Sequence, residues 1–226
     1  MPRPAASNNN ATFTRGDLTL AAVAVVRILG VDPGTLVVGY ACLETECGRV
    51  LPPTVGVPLA MRASNVVRVG GQAGAATRLL AAGVLRLGGR DTLLPQRLLH
   101  LSDRMRELFA AWAPDELAIE EAFHGKSAQA ALRIGEARGV VIAEAARGGV
   151  AVHQFAPARV KRCVAGNGAA SKLAVAAMVR QLLPAARGVL PAALPLDATD
   201  AIAVAWTRLE ERQSPLVQLR ELGGPP

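Results

Sequence analysis

The residues best placed to do chemistry in this chain are carboxylates in positions that are awkward for a charge. Asp32 closes the strand-forming run in RILGVDPGTLVVGY, residues 27–40, and delivers its charge into a Pro33-Gly34 turn before a second strand resumes. An isolated carboxylate at the end of an apolar strand costs several kcal/mol to desolvate unless it is paired, hydrogen-bonded or bound to a cation. Two readings are open. Asp32 either caps the turn through nearby backbone N–H groups or belongs to an acidic cluster.

Further acids stand where a cluster could form. In PDELAIEEAF, residues 114–123, strand alternation puts Ala118, Glu120 and Ala122 on one face and Leu117, Ile119 and Glu121 on the other. The flanking alanines leave room beside Glu120. Asp197 and Asp200 are three apart in LDATDAIAVAWTRL, so on a helix their side chains lie within about 5–6 Å of each other. They fall at its N-terminal turn, where the helix dipole favours anions, so capping and dipole complementarity alone would also explain them. Taken together, a strand-end aspartate, a strand glutamate and an i, i+3 aspartate pair can converge on one edge of a sheet. Their mutual repulsion would be relieved by hard divalent cations such as Mg²⁺ or Mn²⁺. Two such ions about 3.5–4 Å apart can clamp an in-line phosphoryl displacement.

The elements that must position these acids follow from the hydrophobic pattern. Strands are expected over residues 25–31 and 37–44, with a third over 78–88 returning antiparallel. Between the second and third lies a long Gly, Pro and Val mixture, residues 48–75. Leu94, Leu98, Leu101, Met105, Leu108 and Trp112 mark one face of a helix begun by Pro95. If that helix is a crossover, the strand at 116–123 lies parallel to the first. A long helix over 127–146, a strand in GVAVHQFA, a short helix from Pro157 and helices from near Ser171 and Leu196 complete a mixed-sheet α/β domain. The chain divides into a polar, disordered extension (residues 1–24), one domain (25–210, with the 48–75 insertion) and a flexible tail (211–226).

Composition narrows the partner. The chain has 226 residues, 51% of them hydrophobic, enough for one sizeable core. A net charge of +7 favours a polyanion such as nucleic acid or an anionic membrane surface. Cys42, Cys47 and Cys163 form neither an even disulfide set nor a metal quartet, which points to a reducing compartment and to small buried hydrophobes. His100, His124 and His153 show no ligand spacing and read as structural. The apolar segment DLTLAAVAVV, residues 17–26, continues through Arg27 into the first strand, so it is not a signal peptide. No uncharged apolar run reaches 18 residues, and the chain reads as soluble and cytoplasmic, with no membrane partner.

Five motifs carry a specific resemblance. ILGVDPGTLVVGY, PDELAIEEAF, ALRIGEARGVV, PARVKRCVAGNGAASKLAVAAMV and DATDAIAVAWT stand in the order, and at nearly the separations, of the bacterial RuvC-type Holliday junction resolvases. The likeness spans about residues 25–209. It implies a ribonuclease H-like mixed five-stranded sheet flanked by helices, with Asp32, Glu120, Asp197 and Asp200 as metal-binding catalytic carboxylates. It also implies Mg²⁺ as cofactor, two per active site, with Mn²⁺ able to substitute, and Lys172 acting near the scissile phosphate. Phe123, Lys126, Lys161 and Lys172 are the residues it implies for contact with DNA. The implied partners are four-way junction DNA, a second copy of the chain packed through the Gly135 and Gly139 region, and the RuvA and RuvB branch-migration proteins.

Two rivals are weighed against this. One is a nuclease of the same fold acting on structured RNA; the other is a junction-binding protein without catalysis. Retention of all four carboxylates opposes the second, because a pure binder of a polyanion gains nothing from an acidic cluster.

Overall fold

The computed structural model describes residues 24–47, 77–89, 91–121, 128–183 and 194–214. In chain order the elements are β1 (Ala24–Asp32), β2 (Val37–Cys47), β3 (Thr77–Arg86), α1 (Leu94–Trp112), β4 (Glu116–Glu120), α2 (Ala128–Arg147), β5 (Ala151–Phe155), α3 (Pro157–Ala165), α4 (Lys172–Leu182) and α5 (Leu196–Gln213). The strands form one mixed sheet in the order β3-β2-β1-β4-β5. β1 and β2 pair antiparallel, as do β2 and β3, while β4 runs parallel to both β1 and β5. The mixed α/β sheet and the parallel crossover expected from the sequence are both present.

Local signals explain the boundaries. Pro95 occupies the first turn of α1, and the helix ends on Ala113 in the left-handed region (φ 42°), followed by Pro114. α3 begins at Pro157 and stops at Gly166, whose φ of 73° an L side chain would resist. α4 is capped by Ser171, whose Oγ accepts a hydrogen bond from the Ala174 N–H at 3.2 Å. β4 is shorter than its sequence pattern and ends at Glu120. The expected extension, the 48–75 insertion and most of the expected tail lie outside the described residues, although α5 itself continues to Gln213.

Helices cover both faces of the sheet. On one, β1, β2 and β4 residues such as Ile28, Leu43 and Ala118 pack with Val160 and Val164 of α3, Val175 and Val179 of α4, and the length of α5. On the other, Leu29, Val31, Leu117 and Ile119 meet Leu101, Met105 and Leu108 of α1 and Ala137 and Val141 of α2. α3 buries Val160 and Val164 and leaves Cys163 exposed, so that cysteine is not the buried hydrophobe expected; Cys42 is, and burial pushes its thiol up to about 12. His100 Nδ1 lies 3.3 Å from the Leu87 carbonyl, and His153 Nε2 lies 3.9 Å from Glu116 Oε2. Among the described residues no helix is long and apolar enough to cross a membrane.

The closest packing is between α5 and the sheet. A Cβ on Gly30 of β1 would overlap the Ala201 carbonyl and sit 2.8 Å from Ala205 Cβ; one on Gly39 of β2 would overlap the Asp197 carbonyl. The helix therefore rests on strand backbone rather than on side chains. Gly30→Ala should lower stability by about 1–3 kcal/mol, a fall in Tm of about 2–12 °C, because the contact is with backbone that cannot rotate aside. Thermal unfolding of the variant measures this, and an unchanged Tm would contradict the packing described.

Candidate metal centre and nucleic-acid cleft

The parallel pairing of β1 with β4 brings their C-terminal ends to the same edge of the sheet, which puts Asp32 and Glu120 side by side. Gly39 lies directly opposite Asp32 in the β1–β2 register. Because Gly39 has no side chain, the first turn of α5 comes down on that same point and carries Asp197 and Asp200 with it. One carboxylate oxygen from each of Asp32, Asp197 and Asp200 lies within 4.8 Å of the others, and all three residues are half-buried. Glu120 stands outside that triad but lines the same open cleft as Asp32 and Asp200, together with Pro157, Val160, Lys161, Lys172 and Val175.

The turn-capping reading of Asp32 and the helix-capping reading of the aspartate pair can be weighed against this geometry. The described contacts give Asp32 no turn hydrogen bond, and α5 has Pro195 at its N-cap position with no side-chain cap. Asp197 does fall in the first turn, where the dipole favours it.

The electrostatics are those of acids crowded together. Burial, then the Asp200 charge, push Asp32 up to about 6, with Lys172 opposing and Asp197 adding to the rise. Burial, then Asp32 and Asp200, push Glu120 up to about 7 against Lys172 and Lys161. Lys172 sits in the first turn of α4, its Nζ 2.5 Å from Asp200 Oδ2. Burial works against its ammonium, but the hydrogen bond and charge of Asp200, helped by Asp32 and Asp197, outweigh it and raise its pKa. Three carboxylates at this separation, with a fourth beside them, form an all-oxygen donor set suited to a hard divalent cation.

Lys161, from α3, lines the cleft. Phe123 and Lys126, like His124, lie outside the described residues. Arg159, in the same helix as Lys161, is engaged away from the cleft: its Nη2 is 2.6 Å from Glu211 Oε1 and its guanidinium lies 5.1 Å from the centroid of the Phe155 ring. Sequence reasoning missed Gly39. Its signal was there, because a glycine inside a strand pattern marks a bulge or a close backbone approach.

The raised acids set a pH dependence with a definite sign. Asp32 and Glu120 have unfolded reference values of 3.8 and 4.5 and stand near 6 and 7 in the fold. Between those limits the native state holds more protons than the unfolded one, so stability falls as pH rises. Their contribution is complete below about pH 4 and is lost as pH passes through about 6 and 7. In EDTA, the Tm of the protein relative to that of Asp32→Asn should therefore decline from pH 4.5 to 7.5. A flat difference across that range would mean that Asp32 is not crowded by its neighbours.

Comparison with known proteins agrees with this architecture. The family model described as crossover junction endodeoxyribonuclease RuvC matches residues 62–208. A crossover junction endodeoxyribonuclease RuvC from Halorhodospira halophila is 35% identical over 192 residues, covering 85% of this chain and 95% of the relative. Its counterpart from Acidiphilium cryptum is 36% identical over 179 residues, covering 79% and 87%. Among solved structures, Thermus thermophilus RuvC superposes with a TM-score of 0.62 at 26% identity, over 83% of this chain and 96% of that one. The same protein in complex with a Holliday junction substrate gives a TM-score of 0.61 at 27% identity, with the same coverage. With the match spanning most of both partners, the chain belongs to the RuvC family of crossover junction endodeoxyribonucleases.

Proposed function

We propose that this chain resolves four-way DNA junctions by paired hydrolytic nicks, with Asp32, Glu120, Asp197 and Asp200 holding two Mg²⁺ ions, or Mn²⁺ in their place. The observation that carries this reading is the approach of Asp32, Asp197 and Asp200 to within 4.8 Å from two separate elements, at an edge where burial and the neighbouring aspartates raise Asp32. When bound, such ions polarise the phosphate and make a nucleophile of water at neutral pH. Asp32 and Glu120 contribute from strand ends, which are rigid; Asp197 and Asp200 contribute from a helix fixed on the strand backbone. The apolar wall of Pro157, Val160 and Val175 limits water beside the acids, and Lys172 and Lys161 supply positive charge at the cleft.

Phe123 and Lys126 follow β4 in sequence. An aromatic next to the cut can stack on an unpaired base, worth about 1–3 kcal/mol. Lys126, Lys161 and Lys172 supply charge for the phosphates. A second copy of the chain would pair through α2: added Cβ atoms at Gly135 and Gly139 meet nothing within 4 Å among the described residues, and Leu132 on the same helix is 70% exposed. Two copies suit a substrate with two equivalent strands to cut. The RuvA and RuvB proteins would deliver the junction, and the cytoplasm is the compartment in which all of these meet. The described elements of the catalytic domain run from β1, which starts at Ala24, to α5, which ends at Gln213.

Incubation with a synthetic four-way junction, a linear duplex and a structured RNA, each with Mg²⁺ or EDTA, tests this directly. Cleavage should be confined to the junction and abolished by EDTA. Asp32→Asn should retain junction binding while cleavage falls by several orders of magnitude. Selective cutting of the RNA would favour the rival nuclease reading, and undiminished activity in EDTA would sink the metal assignment.

Lys172 separates binding from catalysis. With its Nζ on Asp200 rather than projecting freely, it is placed to act on charge developing at the scissile phosphate. Lys172→Ala should then lower single-turnover cleavage in Mg²⁺ while changing junction affinity in Ca²⁺ little. A drop in affinity with a salt slope shallower by about 0.9 would instead make it a phosphate contact.

A further inference from the structure

Arg138 lies in the motif ALRIGEARGVV, on α2, and the assignments above give it no role. Its Nε donates a hydrogen bond to the backbone carbonyl of Glu120 at 2.9 Å, and its Nη2 donates to Gln154 Oε1 at 2.5 Å. Gln154 is on β5 and Glu120 is the last residue of β4, so one guanidinium bridges the ends of two adjacent strands. Those ends need it. β4 pairs with β1 only as far as Val31↔Ile119, whereas its pairing with β5 continues to Glu120↔Phe155, followed by a 2.9 Å bond from the Glu121 N–H to the Phe155 carbonyl. Past Ile119, the described contacts hold the peptide that carries Glu120 from the β5 side and by Arg138.

A planar guanidinium with fixed donor directions can hold two acceptors at a set spacing, which a lysine cannot. Arg138 makes no ion pair with a carboxylate among the described residues, and both of its described bonds go to neutral oxygens. A cation used in this way is better matched to setting backbone geometry than to adding Coulombic stability. The Glu120 side chain, meanwhile, lines the cleft beside Asp32 and Asp200.

We infer that Arg138 is a positioning residue for Glu120: by fixing the Glu120 carbonyl against Gln154 it sets the direction in which that carboxylate enters the cleft. The inference deepens the metal-dependent reading and rests on it, through Glu120 as one of the four carboxylates. Two blander roles compete, a phosphate contact and general stabilisation of the sheet.

The experiment compares wild type, Arg138→Ala, Arg138→Lys, Gln154→Ala and the Arg138→Ala/Gln154→Ala double variant, with Asp32→Asn as reference. Four measurements are made: thermal unfolding, junction affinity in Ca²⁺ across a salt series, Mn²⁺ binding without DNA, and single-turnover cleavage over a Mg²⁺ series. Arg138→Ala should leave junction affinity and its salt slope unchanged, weaken Mn²⁺ binding about 10-fold or more, and slow cleavage by up to about 100-fold. Arg138→Lys, which keeps the charge and one donor, should fall between it and wild type. Gln154→Ala should act in the same direction but less, and the double variant should be no worse than Arg138→Ala, because the two side chains share one interaction.

A salt slope smaller by about 0.9 in Arg138→Ala would overturn the inference in favour of a phosphate contact. A lowered Tm with unchanged Mn²⁺ affinity and unchanged cleavage by the folded protein would overturn it in favour of a purely structural role. Both results leave the metal-dependent reading standing, provided that wild type cleaves and Asp32→Asn does not. Wild-type cleavage without added metal would overturn the reading and this inference together.

Discussion

The rest of this structure depends on a helix lying directly on strand backbone. α5 has no side chain beneath it at Gly30 or Gly39, so its carbonyls sit against β1 and β2, and its first turn reaches the strand-end Asp32. That contact brings Asp197 and Asp200 from the helix within 4.8 Å of Asp32 from the strand. The arrangement is costly for the folded chain: burial and repulsion raise Asp32 and Glu120 far enough that charging them at neutral pH opposes folding. That cost is offset by a nearly continuous apolar surface along α5, where Ala198, Ala201, Ile202, Ala203, Val204, Ala205 and Leu209 are all buried. Over Gly30 the helix presents Ala201 and Ala205, where a larger residue would lift it from the strand.

β4 shows how environment rather than residue type decides what a glutamate does. Glu116 and Glu120 begin and end the same five-residue strand. Glu116 is buried against Arg208, with Nε to Oε2 at 2.8 Å, and also meets Arg212. Burial alone would raise it, but the Arg208 hydrogen bond and charge, then Arg212 and His153, hold it below the usual carboxylate range. Among the described residues Glu120 has no arginine at its carboxylate, and it is raised instead. The first glutamate therefore anchors α5 to the sheet through a satisfied ion pair. The second keeps an unmet demand for positive charge and faces the cleft. Since α5 also carries Asp197 and Asp200, the anchored end of the strand helps to fix the partners of the unanchored one.

The sequence made the four acids legible because each was marked by a local period. Asp32 interrupts an apolar strand, Glu120 follows a two-residue alternation between alanines, and Asp197 and Asp200 share one helix face. The order of elements was readable for the same reason, as with the 94–112 helix and its buried Leu101, Met105 and Leu108. What stayed hidden were pairings between distant positions. Nothing local marks Glu116 as an ion-pair partner, because Arg208 is 92 residues away. Arg159 likewise shows no local sign of its partner Glu211, which is 52 residues away. Gly39 was visible as a glycine in a strand, but nothing local says that the residue above it is Asp197. The family resemblance supplied the convergence of the acids; it could not supply the backbone contact that enforces it.

The two faces of the sheet divide the work. α3, α4 and α5 cover the face from which the cleft is built, while α1 and α2 cover the other. α2 contributes no side chain to the cleft lining, so pairing of two copies through its open Gly135 and Gly139 surface would leave both clefts free for DNA. Arg138 is the exception to this division, since it reaches from α2 to the Glu120 carbonyl. α2 therefore meets the end of β4 through this bond as well as through its packing on the sheet. The bond thus ties a helix that covers one face of the sheet to the backbone of a carboxylate that lines the cleft on the other, while Asp32, Asp197 and Asp200 hang from β1 and α5.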